Sequence, residues 1–325
     1  MRGGRSPARY LFNYAMLTAT LTACCVLALR PSPPSGNSHA WLVPPPAESQ
    51  CSAPVQQMID LWLRRWPNAS VERSGVLIVV GQQTGEERRG ILAEADRFVR
   101  SSGRRFGFAY PGRPVSILAC RDMAEYRFCA TQILTVDVLD GPGIYVPNLR
   151  AMAVLLSKSD APLRHELTHA LMHDHFPHAP FWLSEGLAVL SEGAGPEKGM
   201  GESTRWTVSQ SRMATLRRAV AEGCLPPLAS VICDAQRPEG GDHSRNAIHR
   251  KPSTGGQSEA IRYAMAGYFC QRLLERGSLA DCCYLARQLS EIDPTGKRTL
   301  ETAIPGWNWN DEDRRLRRSL RTDRP

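Results

Sequence analysis

Pro177 and Pro180 divide residues 163–193, LRHELTHALMHDHFPHAPFWLSEGLAVLSEG, into helix, break and helix. Proline lacks the amide hydrogen and clashes with the preceding turn, so no single helix runs through this window. Ahead of the break, Leu163, Leu167, Ala170 and Leu171 recur at helical spacing and bury one face. Ser159 or Asp160 can cap that helix, and Pro162 suits its first turn. Behind the break, Phe181, Trp182, Leu183, Leu187 and Leu190 bury a second helix. Gly186 is a poor helix former, and its presence makes sense where another backbone approaches closely. Into this apolar frame are set His165, His169, His173, His175, His178, Glu166, Glu185 and Glu192, more metal-binding side chains than two helices need.

The flanks predict a mixed α/β layer. VQQMIDLWLRRW places Met58, Ile59, Trp62 and Leu63 on one helical face, and Pro67 ends it. GVLIVV, residues 75–80, reads as a buried strand, and GEERRGILAEADRFVRSSG as an amphipathic helix stopped near Gly103. PVSILAC is a further strand, and RDMAEYRFCATQ a short helix. GIYVPNLRAMAVLLS, residues 143–157, reads as two strands turned at Pro147 and Asn148. Past Glu192 the pattern is helical, with ends at Gly223 and Gly277 and two more helices in LADCCYLARQLSE and DEDRRLRRSLRT. The fold class is therefore α+β, with an α/β region over 51–193 and a mainly helical region over 194–325. GAGPEKGMGES is a flexible loop, and residues 236–259, rich in Gly, Ser and charge, form a flexible insert.

HELTH is H-E-x-x-H. Residues four apart share a helix face, so His165 and His169 can grip one ion, and Glu166 beside them can take a proton from a water that the ion activates. The bland reading is a polar helix with surface histidines, so the neighbouring residues must decide. Two completions compete. His175 fits the metzincin spacing H-E-x-x-H-x-x-G-x-x-H, but Met172 stands where that pattern needs glycine, and a continuing helix carries His175 to another face. Glu185, in the first turns of the second helix, gives a His, His, Glu set that leaves zinc's fourth position open for water.

LRHELTHALM followed by PFWLSEGLAVLSE resembles the gluzincin metallopeptidases, in particular the peptidase MA-like families, whose pattern is H-E-x-x-H, a short gap, then W-x-x-E-G-x-A. The similarity covers roughly residues 110–290 by eye and is strongest over 163–192. It implies a thermolysin-like zincin half-domain closed by a helical half, one Zn2+ held by His165, His169 and Glu185, Glu166 as general base, and a peptide or protein substrate. Gluzincins stabilise the developing oxyanion with a tyrosine or histidine; Tyr263 sits where related families often carry a tyrosine, with Tyr268 and His178 as alternatives. One departure is Val189, four after Glu185, where some gluzincins keep an acidic residue to orient a histidine. Glu192, two turns along, is a candidate substitute. The rival reading is a non-catalytic zinc site closed by His173 or His175.

Arg2, Arg5 and Arg9 precede an uncharged run, residues 10–29, and this order marks an exported chain. Residues 1–30 are long enough for an uncleaved anchor; LTAC, Leu21–Cys24, also resembles a lipoprotein box, and ordinary cleavage is the third route. Residues 31–50 are a Pro/Ser-rich tether. The expectation is an extracytoplasmic protein tethered to a membrane, at the periplasm or cell surface. Cys120 with Cys129, Cys224 with Cys233, and Cys270 with Cys282 or Cys283 are candidate disulfides, and no C-x-x-C pair points to a cysteine zinc site. The net charge of +8 owes much to arginines near both ends, Arg314, Arg315, Arg317, Arg318 and Arg321 among them. Those ends could touch an acidic membrane surface, but they read as solvated helix faces. With no basic motif interleaved with aromatics, nucleic acid is not an expected partner.

Overall fold

Mostly apolar runs of five or six residues make strands covered on both faces, and LIVVG, VSILAC and AMAVL are three such strands among the described residues. A computed structural model describes residues 53–136, 141–156, 159–176, 178–196, 204–233, 256–289 and 291–322. In it β1 (Ser70–Ser74), β2 (Leu77–Gly81), β3 (Val115–Cys120), β4 (Gly143–Val146) and β5 (Ala151–Leu155) form one sheet in the order β1-β2-β3-β5-β4. The three apolar strands are central and parallel; β1 and β4 pair antiparallel at the edges.

Side-chain alternation then creates two cores. Leu77, Val79, Ile117, Met152 and Val154 face one side with α2 (Gly85–Phe106) and α4 (Ala161–His175). Ile78, Val80, Leu118, Ala151 and Ala153 face the other with α1 (Ala53–Arg65) and α3 (Met123–Phe128). The helices that follow add to the first core only: α5 (Phe181–Glu192), α6 (Gln210–Ala221), α7 (Leu228–Ile232), α8 (Gly256–Glu275), α9 (Leu279–Leu289), α10 (Lys297–Ala303) and α11 (Trp309–Thr322). The architecture is mixed α and β, with a continuous core from the sheet into the helices.

The hairpin at 143–155 forms as its pattern predicts, with a 3-10 turn at Pro147–Leu149 and Arg150 in the left-handed region at φ 48°. The first strand, SVERS, carries no apolar alternation and is not legible beforehand; it forms because β2 offers it a partner along an exposed edge. The helix expected to stop near Gly103 runs on to Phe106 and ends at Gly107, at φ 74°. Gly103 instead allows close approach, since a Cβ there would lie 2.7 Å from the Phe108 carbonyl oxygen. Of the expected flexible insert, 256–259 belong to α8, while 236–255 lie outside the described residues. Of the flexible loop expected over 193–203, residues 197–203 lie outside the described residues, and Gly195–Pro196 pair with Thr204–Arg205.

Cys120 and Cys129 are buried with their sulfurs 3.7 Å apart; Cys270, Cys282 and Cys283 are buried in one core, and Cys224 is exposed. No described cysteine is bonded to another. The apolar run 10–29, Cys24, the tether, Cys51, Pro177, His243 and His249 lie outside the described residues, among which no helix is long and apolar enough to cross a membrane.

Candidate metal centre

α4 forms much as its sequence suggests. Asp160 takes the cap position without a side-chain bond, Ser159 Oγ accepts from Ala161 N at 3.4 Å, and Pro162 lies in the first turn. Met172 keeps the helix going, so it reaches His175 before stopping at Phe176. That continuation carries His175 away from the other two histidines. Its Nε2 accepts from the Ala109 amide at 3.0 Å and its ring stacks on Phe108, 5.7 Å between centroids. His173 lies 3.4 Å from the Tyr145 hydroxyl.

α5 packs across α4 and presents Glu185 to His165 and His169. Its own placement rests on Trp182, which is fully buried and donates to the Thr295 carbonyl at 3.1 Å. It rests also on Gly186, where a Cβ would stand 2.7 Å from the Ala266 carbonyl oxygen of α8. One turn on, Val189 packs against Gly267 of the same helix. The two glycines bring α5 and α8 backbone to backbone, as the reading of Gly186 anticipates. Between α4 and α5, Arg164 donates to the carbonyls of Ser191 (3.1 Å) and Glu192 (2.9 Å), and Thr168 Oγ donates to Ser191 Oγ (2.9 Å).

The result is a cluster of three possible ligands, His165, His169 and Glu185, whose donor atoms lie within 4.8 Å of one another. Glu185 Oε2 is 3.6 Å from His165 Nε2 and 3.5 Å from His169 Nε2. Ligands held ~2.1 Å from a tetrahedral cation stand about 3.4 Å apart, so these spacings suit an ion. Glu185 and Glu166 are 4% and 3% exposed; Glu185 Oε2 faces only the two imidazole nitrogens, and Glu166 Oε2 accepts no hydrogen bond. A buried carboxylate oxygen without a donor is costly unless a cation or water supplies what the chain does not. This group could hold a metal ion.

No family model matches this chain, and no curated protein does. The residues around the cluster therefore carry the reading. His165 Nδ1 donates to Glu192 Oε1 at 3.0 Å, because a carboxylate can only accept. That bond fixes the tautomer and leaves Nε2 as the lone-pair nitrogen of neutral His165, facing Glu185. Ser184 Oγ lies 3.4 Å from His169 Nδ1. Glu192 thus stands where the sequence proposes a substitute for the missing acid at Val189.

The charges are strongly coupled. Burial opposes the charge on His165, but Glu185 and Glu192 outweigh it and push the imidazole up to about 10. Burial also works against Glu185, yet His169 and His165 hold its carboxyl far below the usual range. An incoming cation would displace the proton those groups share. Glu166 differs: burial dominates and holds its carboxyl above the ordinary 4.5 despite both histidines.

Glu166 lies at the foot of the edge strand, where a Cβ on Gly143 would stand 2.7 Å from Glu166 Oε1. Tyr263, on α8, packs edge-on against Phe181 with ring centroids 5.6 Å apart. The negative charge of Glu185, then burial, raises its pKa, so its hydroxyl remains a donor. Tyr268 is fully buried and donates to Ser319 Oγ at 2.9 Å. Sequence reasoning did not single out Gly143, Arg164 or Arg212. Only Gly143 leaves a local trace, in the turn-forming DGPG of residues 140–143.

Proposed function

We propose that this chain is an exported zinc metallopeptidase of gluzincin type, built on a thermolysin-like half-domain. The observation that carries it is the convergence of His165, His169 and Glu185 beside a buried Glu166. A His2Glu donor set suits Zn2+, and His173 and His175 are engaged with Tyr145 and Ala109, which favours an open fourth position over a closed structural site. Zinc, when bound, would polarise a peptide carbonyl and lower the pKa of a water at neutral pH.

The remaining work falls to the chain. Glu166 takes a proton from the attacking water as its oxygen adds to the carbonyl carbon, and delivers a proton to the amine as the C–N bond breaks. Burial, which raises the affinity of Glu166 for a proton, suits it to both transfers. Tyr263 donates a hydrogen bond to the negative charge developing on the carbonyl oxygen. Gly143 keeps the edge strand from crowding the Glu166 carboxylate. The substrate is a peptide or protein, and residues 1–50 tether the enzyme to a membrane by an apolar anchor or a lipid.

The test is metal content by mass spectrometry on the purified protein, wild type beside Glu185→Ala and His175→Ala, followed by a peptide-library screen. One zinc per chain, lost with Glu185→Ala and kept with His175→Ala, is expected. Loss with His175→Ala would point to a metzincin-like or closed site, and a metal-free wild type would end the enzyme reading.

A further inference from the structure

Arg212 has no place in the chemistry above, yet its guanidinium is aimed at it. It is the third residue of α6, a helix opened by Ser209, whose Oγ accepts from the Arg212 amide at 3.4 Å. Its Nη2 donates to Glu192 Oε1 at 2.8 Å and its Nε to Glu192 Oε2 at 3.2 Å. Both carboxylate oxygens are thus held by one planar fork, the arrangement in which arginine fixes direction as well as charge. Glu192 Oε1 is the same oxygen that accepts from His165 Nδ1 at 3.0 Å.

The other end of Glu192 is fixed too. Its carbonyl oxygen accepts from Arg164 Nη2 at 2.9 Å, and Arg164 Nη1 is itself anchored on Glu94 Oε1 at 2.9 Å. Main chain and side chain of Glu192 are therefore pinned by two arginines from two different helices. The side chain of Glu192 is 13% exposed and that of Arg212 28%, so solvent screens this pair less than an open surface pair. One turn earlier, Val189 is occupied in packing on Gly267 and offers no carboxylate, so the bond to His165 Nδ1 depends on a residue that has to be steered there.

We propose that Arg212 is a positioning residue of the metal centre: by forking Glu192 it holds the carboxylate on His165 Nδ1 and so keeps His165 Nε2 turned toward Glu185. The inference rests on the metal-site reading above and deepens it. It makes metal affinity depend on how α6, in the helical region, docks against α4 and α5.

The experiment is a double-mutant cycle on the full chain, read as zinc affinity by competition with a chromophoric chelator. The melting temperature of each metal-free variant serves as a check on folding. Arg212→Gln should weaken zinc binding about tenfold, the low end of what partners of ligating histidines contribute. Arg212→Lys, which keeps the charge and loses the fork, should recover only part of that. In a Glu192→Gln background, Arg212→Gln should add little, because the group it steers has gone. Wild-type affinity in Arg212→Gln, full recovery in Arg212→Lys, or effects that simply add would overturn the inference while leaving the three ligands standing. A wild-type chain that binds no zinc, or zinc retained in Glu185→Ala, would overturn the site reading itself and the inference with it.

Discussion

Glu125 and Glu166 are each 3% exposed, and each stands on a helix packed against the central sheet. Their surroundings differ in one respect. Glu125 Oε1 accepts from Gln82 Nε2 (2.6 Å) and Arg121 Nε (2.8 Å), and its Oε2 accepts from the Arg121 amide (2.9 Å). Glu166 Oε2 accepts nothing from the chain, whereas Glu185 Oε2 faces the two histidine Nε2 atoms at 3.6 and 3.5 Å. Burying a carboxylate is expensive in both places. At Glu125 the fold offsets that cost with hydrogen bonds and at Glu185 with two histidines, whereas at Glu166 burial outweighs both histidines and holds the carboxyl above its ordinary pKa. The contrast separates a carboxylate tied into the structure by hydrogen bonds from one left with an unpartnered oxygen beside a group that could hold a metal ion.

Substitutions at the two positions should therefore part company. The largest effect belongs to Glu166→Gln, which should keep metal and lose peptide hydrolysis by ~100- to 10,000-fold, the usual weight of a general base. Its metal-free melting temperature should stay level or rise, since a buried charge without a donor has been removed. Substantial residual turnover with metal in place would erase the distinction from Glu125. Glu125→Gln should do the reverse: chemical denaturation should show a loss of about 2–3 kcal/mol, as for hydrogen bonds to a charged group, with metal content unchanged.

Gly186→Ala tests the frame between them. With the α8 carbonyl of Ala266 only 2.7 Å from the new Cβ, it should cost about 1–3 kcal/mol in the same measurement, and metal affinity should fall as Glu185 shifts. Unchanged affinity would mean that α5 adjusts without moving its ligand.

The smallest and most graded effect is in pH. In the metal-free protein burial raises the pKa of Glu192, but His165 and Arg212 bring it down to about 2 from the ordinary 4.5. A depressed carboxylate pKa gives stability that is fully present above 4.5 and drains away as pH falls toward 2. The urea midpoint of metal-free wild type should exceed that of Glu192→Gln near neutrality, and the gap should close between pH 4.5 and 2. A gap that stays constant across that range would show that Glu192 acts through packing rather than charge.

Much of this was legible from local pattern. HELTH could be placed on a helix from Leu163, Leu167, Ala170 and Leu171, and WLSEGLAVL on another from its apolar run, because helical periodicity is written in neighbouring residues. Met172 told in advance that the helix would continue and that His175 would leave the cluster. Gly186 announced a close approach, though not that α8 would be the partner. What stayed hidden were edges and long-range partners. SVERS becomes a strand only because β2 presents an unpaired edge to it, and the helix after Gly85 passes Gly103 because that glycine meets Phe108 rather than ending a turn.

The sequence by itself determined which groups could make a metal centre: two histidines four residues apart, a glutamate between them, and a second helix carrying another carboxylate beyond a proline break. Tertiary structure decided which oxygens are left without donors, that Glu192 meets His165, and that Arg212, twenty positions further on, grips Glu192. The reason is physical. Spacing along a helix fixes which side chains share a face, whereas the satisfaction of a buried charge depends on every element packed around it.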